Sequence, residues 1–270
     1  LPRRTLPLLM AALLLGGCAQ SGGSLGYYWQ SLRGHLALLQ AARPVQQWLD
    51  SPETPAPLRA RLELAQEARA FAVRELALPD NASYHRYARL QRSAAVWNVV
   101  AAGPYSLTLH RWCFPVAGCV GYHGYFDEAA ARAEGRQLAA TGLEVNVYGV
   151  PAYSTLGYSN WLGGDPLLST FIAWPEGDFV RLLFHELAHQ EVYAAGDTAF
   201  NESYATAVER LGVQRWLQRQ STPAARAQFA ASEERRAEFR ALTRGTRARL
   251  AAIYASDTGT APDYQALAAS

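Results

Sequence analysis

The sequence predicts an α+β fold that is mainly helical and has one small mixed β-sheet. Apolar residues recur at helical spacing through most of the chain, while only two segments have the composition of strands. The chain has 270 residues, half of them hydrophobic, which suits a single domain with helical extensions at both ends. The net charge of +2 argues against a dedicated nucleic-acid binder.

Two helices are predicted ahead of the first strand, as a pair that packs on the rest of the domain. The first covers 27–49, where Pro44 interrupts the helical pattern, and the second covers 56–77, where Pro57 lies near the start. The apolar positions that define the first helix are Tyr28, Leu32, Leu36 and Leu39.

Strands are predicted at 93–102 and 143–150, with a helix at 127–141 between them. We place an exposed sheet edge within 143–156, because an extended peptide can add to such an edge as a further strand.

The C-terminal part of the chain is polar and rich in arginine. Residues 223–255 are predicted to form a long helix or a helical pair, and 209–249 contain ten Arg and four Glu. This charge indicates either a solvated helix face or a surface for anionic lipid or an acidic ligand.

The most specific pattern is His185-Glu186-Leu187-Ala188-His189. On a helix, residues four apart share one face, so His185 and His189 can bind a single zinc ion. Catalytic zinc keeps one position open for water, and Glu186 stands where a carboxylate can take a proton from that water. The alternative is an amphipathic helix whose two histidines lie near the core.

A second helix is predicted to bring a third ligand to this site. The first helix should begin after an N-cap at Asp178 and stop at Gly196, and the second should run from Thr198 or Asn201 through Trp216. A short turn between two helices lets them face each other, which makes Glu202 the best candidate for the third ligand.

The segment 200–209 resembles the third-ligand segment of the gluzincin metallopeptidases. This resemblance implies that Glu202 binds the metal and that Asn201, Thr206 and Glu209 surround the site. Thr206 stands where thermolysin-like enzymes carry an aspartate that orients a ligand histidine. The segment looks most like that of the M1 aminopeptidases, but the spacing from His189 to Glu202 is shorter than in M1 or thermolysin-like enzymes. The Gly-x-Met-Glu-Asn segment that M1 enzymes use to hold a substrate amine is absent.

The whole chain resembles a bacterial family of predicted aminopeptidases that are lipoproteins. The segments that carry this resemblance, besides the two just described, are 112–122, 124–126, 152–157 and 165–166. The resemblance implies a zincin-like fold with two zinc-bearing helices, one Zn²⁺ and a peptide substrate.

The N-terminal residues predict export and lipid anchoring. Residues 1–17 have the basic and apolar regions of a secretory signal, and Leu15-Gly16-Gly17-Cys18 resembles a bacterial lipobox. Lipid on Cys18, followed by a flexible tether over 18–26, would leave 27–270 as a single extracytoplasmic domain held at a membrane. Ala19 after the cysteine favours the outer membrane, facing the periplasm. The alternative is an ordinary secretion signal near a cysteine.

The remaining cysteines and the rest of the site follow from this location. Cys113 and Cys119 can form a disulfide in an oxidising compartment, the alternatives being reduced thiols or metal ligands. A peptidase also needs a hydrogen-bond donor for the oxyanion, and the candidates are Tyr153, Tyr158 and His123, with Tyr153 preferred. An aminopeptidase needs acidic groups for the substrate ammonium, and the candidates are Asp165, Asp127 and Glu209.

The sequence therefore predicts a lipid-anchored zinc metallopeptidase in which Glu186 activates water. Two other classes stay open: an envelope lipoprotein that holds zinc and binds peptides or cell-wall fragments without turnover, and a structural protein whose motif is vestigial.

Overall fold

The computed structural model describes residues 25–114, 118–152, 163–194 and 197–256. The predicted signal at 1–17, Cys18, Tyr153 and Tyr158 lie outside the described residues. The predicted tether over 18–26 lies outside them as far as residue 24, and its last two residues begin a helix.

Helices predominate in an α+β arrangement, which confirms the predicted class. In chain order the elements are α1 (Leu25–Ala41), β1 (Ala42–Pro44), α2 (Val45–Asp50), α3 (Ala56–Leu76), β2 (Arg86–Ala88), β3 (Val96–Ala102), β4 (Trp112–Phe114), β5 (Gly118–Val120), β6 (His123–Tyr125), α4 (Glu128–Ala140), β7 (Glu144–Val150), β8 (Leu167–Leu168), α5 (Glu176–Glu191), α6 (Thr198–Arg219) and α7 (Pro223–Ser256).

The first predicted helix differs from the structure in its length and its buried face. It ends at Ala41, and the residues around Pro44 form β1, which pairs with β2, before α2 begins. The predicted apolar positions Tyr28, Leu32 and Leu36 are 40–50% exposed, whereas Leu38 and Leu39 at the end of α1 are buried. Helical spacing predicted the helix, but only its last turn reaches the main core.

The described strands form three small sheets, and one of them is mixed, as predicted. The mixed sheet has the order β1-β2-β8, with β1 antiparallel and β8 parallel to β2. The two predicted strands, β3 and β7, belong to a second, antiparallel sheet of order β6-β3-β7. In this sheet β7 lies at an edge, as predicted, and α4 packs on β3 and β7. The strands β4 and β5 form a separate hairpin.

The main core lies between α3, α5, α6 and the mixed sheet. The ring of Phe71 on α3 stacks on Phe184 of α5 at 6.0 Å and meets Trp216 of α6 edge-on at 5.3 Å. Gly212 of α6 is buried against the same ring of Phe184. A Cβ at Gly212 would lie 2.8 Å from Phe184 Cδ2 on α5 and 2.7 Å from Leu76 Cδ1 on α3. The close approach of α6 to both helices therefore depends on a glycine at this position.

The C-terminal segment is one continuous helix, α7, rather than a pair, and it has no fully buried residue. It contacts α5, where Phe229 packs against Gly177 and Arg236 pairs with Asp178. Among the described helices, none combines the length and the apolar character that crossing a membrane requires.

Replacing Gly212 by Ala is expected to destabilise the fold by about 1–3 kcal/mol, because overpacking of the core outweighs the gain in helix propensity. Gly245→Ala in α7 is the matched control, because a Cβ at this position would have its nearest neighbour 4.0 Å away. This change should raise the free energy of unfolding by about 0.5–1 kcal/mol. Chemical denaturation of both proteins measures the two values. An equal effect of both substitutions would contradict the packing argument.

Candidate metal centre

The helix α5 carries the two histidines on one face, but its ends differ from the prediction. It begins at Glu176 with Pro175 in the N-cap position, and Asp178 lies inside the first turn, where it pairs with Arg236. Pro175 has no side-chain acceptor and makes no capping hydrogen bond. The helix ends at Glu191, five residues before the expected stop at Gly196.

The side chains of His185, His189 and Glu202 converge on one point. The two Nε2 atoms are 3.1 Å apart, and the Glu202 carboxylate oxygens lie 3.4 Å from His185 Nε2 and 3.5 Å from His189 Nε2. Zinc bonds of about 2.0–2.1 Å at tetrahedral angles put neighbouring ligand atoms roughly 3.3 Å apart. With one donor atom taken from each residue, all three lie within 4.8 Å of one another, close enough for a single metal ion to bind all of them.

The turn between α5 and α6 brings Glu202 back to the histidines. Asp197 caps α6 by accepting a hydrogen bond from Phe200 N at 2.9 Å. Asn201 is 3% exposed, and its amide accepts from Ala194 N at 2.7 Å and donates to Ala194 O at 2.9 Å. Because this clamp fixes the start of α6 against the end of α5, it sets the position of the next residue, Glu202.

A buried carboxylate orients the first histidine. Glu209, two turns after Glu202, accepts a hydrogen bond from His185 Nδ1 at 2.9 Å and one from Arg181 Nε at 2.8 Å. This contact leaves His185 Nε2 free to face Glu202. Thr206 is half-buried and, among the described residues, makes no hydrogen bond to either histidine, so Glu209 occupies the orienting position for which Thr206 was considered.

The charges at the site favour a cation. Burial alone would lower the pKa of His185, but the hydrogen bond to Glu209 and the carboxylates of Glu186 and Glu202 outweigh it and raise that pKa. Burial and the neighbouring imidazole lower the pKa of His189. Burial would raise the pKa of Glu209, yet the contacts with His185 and Arg181 hold it below its usual range. Glu209 is thus ionised at neutral pH and accepts both hydrogen bonds.

A cavity of about 570 Å³ opens beside the three donors, and the β4–β5 hairpin forms its opposite wall. A disulfide joins Cys113 and Cys119, which face each other directly in the hairpin register. The lining residues on the hairpin side are Thr108, Leu109, Arg111, Cys119, Val120, Gly121 and Tyr122, and on the helix side His189, Tyr193, Thr198, Asn201 and Glu202.

Tyr122 is a site residue that the sequence analysis did not single out. Its side chain is 49% exposed and lies within electrostatic reach of Glu202 and Glu186. Partial burial, followed by these two carboxylates, raises the pKa of the Tyr122 phenol, which keeps it protonated and able to donate a hydrogen bond. The only sequence signal was its place at the end of the cysteine-containing segment.

The other candidates for oxyanion and amine binding lie elsewhere. His123 is 4% exposed, and its Nδ1 donates to Glu134 at 2.8 Å, so its ring is enclosed in the second sheet. Asp127 caps α4 and lines a different cavity, next to α1. Asp165 is buried beside Ser83 and Tyr84. The carboxylate of Glu209 is hydrogen-bonded to His185 and Arg181. Among the described residues, none of the three acids nominated for a substrate ammonium lines the cavity.

Comparison with known families finds a match that covers most of the chain. A protein-family model described as "Putative aminopeptidase" matches residues 26–269. The chain belongs to this family. The match includes both histidines, Glu202 and the hairpin wall, and the family description indicates a peptidase. No curated protein and no solved structure matches the chain.

Glu209→Gln is expected to weaken zinc binding about 10–100-fold, because a neutral amide orients His185 less firmly and removes a negative charge from the site. Glu234→Gln, on an exposed position of α7, is the matched control and should bind zinc like the unchanged protein. Competitive titration against a fluorescent chelator measures both affinities. Equal affinities in the two variants would remove Glu209 from the site.

Proposed function

We propose that this chain is a zinc-dependent peptidase with a zincin-like arrangement of α5 and α6. The observation that carries the proposal is the convergence of three donor atoms from His185, His189 and Glu202, all within 4.8 Å of one another, with Glu186 next to His185 on the same helix. Zinc in this site would supply a Lewis acid and lower the pKa of a water molecule there.

The protein's own residues account for the other requirements of peptide hydrolysis. Glu186 holds a proton of the attacking water and passes it to the leaving nitrogen as general acid. Glu209 keeps the ring of His185 in one orientation, and its charge is balanced by Arg181. A purely structural zinc site has no need of Glu186, which favours the enzyme over a lipoprotein that holds zinc without turnover.

Tyr122 is the proposed donor to the oxyanion, in place of Tyr153, which lies outside the described residues. Its neutral phenol stands across the cavity from the zinc ligands, within reach of Glu202 and Glu186. A donor in this position stabilises negative charge as it develops on the carbonyl oxygen of the substrate. The strand β7 lies at the edge of its sheet, where an extended substrate would add as a further strand.

The location of the enzyme remains part of the proposal. Lipid on Cys18 would hold the domain at a membrane outside the cytoplasm, facing the periplasm, where the Cys113–Cys119 disulfide is stable. Aminopeptidase specificity is carried by the family description.

Glu186→Gln tests the mechanism, because the amide cannot accept a proton from water. We expect this variant to bind zinc with unchanged stoichiometry and to lose at least about 10²-fold in kcat. A peptide library digested by each protein and read by mass spectrometry measures the loss and the position of the cut. Full activity in the variant would contradict the proposed role of Glu186. A wild type that binds zinc but cuts no peptide would instead favour the alternative of a non-catalytic zinc lipoprotein.

Glu202→Ala should lower the zinc content, because two imidazoles alone hold the ion weakly. Metal analysis of the dialysed protein checks this, and Glu191→Ala at the end of α5 serves as a control that should keep one zinc per chain. If the Glu202→Ala protein still held one zinc per chain, Glu202 would not be a zinc ligand.

Tyr122→Phe is expected to lower kcat by about 10–10³-fold with little change in KM, because the donor acts mainly in the transition state. Tyr105→Phe is the control: this tyrosine is also partly exposed, but it meets the ring of Tyr254 edge-on and does not line the cavity. Steady-state kinetics on one peptide compares the two. A change confined to KM would assign Tyr122 to substrate binding alone.

A further inference from the structure

The cavity beside the zinc ligands contains one unused positive charge. Arg111 immediately precedes β4 and lines the same cavity as His189 and Glu202. Its side chain is exposed, and one guanidinium nitrogen donates to Cys119 O at 2.8 Å. Among the described residues, no carboxylate lies within ion-pair distance of it.

The contact with Cys119 holds this guanidinium on the hairpin wall. Guanidinium donors form a planar fork that matches a carboxylate, and one bond to a backbone carbonyl leaves the others for a ligand. Leu109, Val120 and Tyr122 line the same cavity as Arg111 and offer apolar surface to the rest of a bound peptide. The disulfide across the hairpin fixes the backbone from which Arg111 is held.

The negative charges of the cavity do not offer a matching site for an ammonium group. Glu202 is the only described acidic residue in its lining, and it faces the two histidines. Glu186 stands beside His185 on α5, where it has the role of general base. Among the described charged residues of the cavity, Arg111 is therefore the one available to bind a charged group of the substrate.

We propose that Arg111 forms a carboxylate-binding subsite, so that the enzyme prefers short peptides with a free carboxylate near the bond that is cut. This inference rests on the proposed peptidase function and narrows its substrate class. The carboxylate is either the C-terminal group of a short peptide or the side chain of an acidic residue, since both present the same pair of oxygens to the fork.

Two pairs of peptides distinguish these sources. The first pair is a tripeptide with a free C-terminus and its C-terminal amide, and the second is an amidated tripeptide with Asp or Asn at its last residue. For the wild type we expect kcat/KM to be about fivefold higher for the charged member of at least one pair, as for a partly exposed ion pair. The pair that shows the preference identifies the source of the carboxylate.

Arg111→Met keeps an unbranched side chain as far as the position of Nε and removes the fork. In this variant the ratio of charged to neutral kcat/KM should fall about fivefold, mainly through KM, whereas Arg244→Met on the exposed surface of α7 should keep the wild-type ratio. A wild type that cuts peptides without preference, or a preference that Arg111→Met retains, overturns the subsite and leaves the peptidase function intact.

Binding provides a second readout that does not need turnover. The zinc-loaded Glu186→Gln protein and the same protein with Arg111→Met are titrated with both peptide pairs by calorimetry. Preferential binding of the charged member, lost with Arg111→Met, supports the subsite even if the wild type cuts no peptide, and in that case the peptidase proposal alone fails. Equal binding of charged and neutral peptides by both proteins refutes the subsite.

Discussion

The close antiparallel packing of α5 against α6 is the constraint on which the site depends. Glu176 at the start of α5 accepts from Trp216 near the end of α6, whereas His189 near the end of α5 meets Glu202 near the start of α6. Gly212 permits this approach in the middle, and Asn201 clamps the turn. Since the third donor atom comes from α6, any separation of the two helices would dismantle the donor set.

One carboxylate joins this helix pair to the rest of the molecule. Glu209 contacts His185 and Arg181, and Arg181 also donates to Glu233 on α7 at 2.9 Å. Glu233 in turn accepts from Arg236, which pairs with Asp178 at the start of α5. An otherwise exposed helix with no buried residue is thus held to the metal centre by a chain of charges. Such a network stabilises mainly through the geometry it enforces, because partly exposed ion pairs contribute little energy each.

The second wall of the cavity comes from a distant part of the chain. Residues 108–114 and 118–122 place Tyr122 and Arg111 in the lining of the same cavity as His189 and Glu202. A disulfide holds the β4–β5 hairpin in register, and the buried His123, hydrogen-bonded to Glu134 of α4, anchors β6, the strand after the hairpin. The helices α5 and α6 supply the candidate metal ligands, and the hairpin and the residues beside it supply the groups proposed to recognise the substrate.

Local sequence patterns were sufficient to predict most of the helices, the strands β3 and β7, and the convergence of His185, His189 and Glu202. Helical spacing placed His185 and His189 on one face, and the short turn before Asn201 predicted that Glu202 would return to them. The orienting role of Glu209 in place of Thr206, the division into three sheets and the exposure of Tyr28, Leu32 and Leu36 depend on which segments meet.

The sequence by itself predicted most of the helices, the strands β3 and β7 and the convergence of His185, His189 and Glu202, because these follow from residue spacing within about 20 neighbouring residues. Only the tertiary structure decided that Tyr122 and Arg111 face the donors and that Asp127 and Asp165 do not. Their positions depend on contacts between segments far apart in the chain, and residue spacing carries no information about which of those segments pack together.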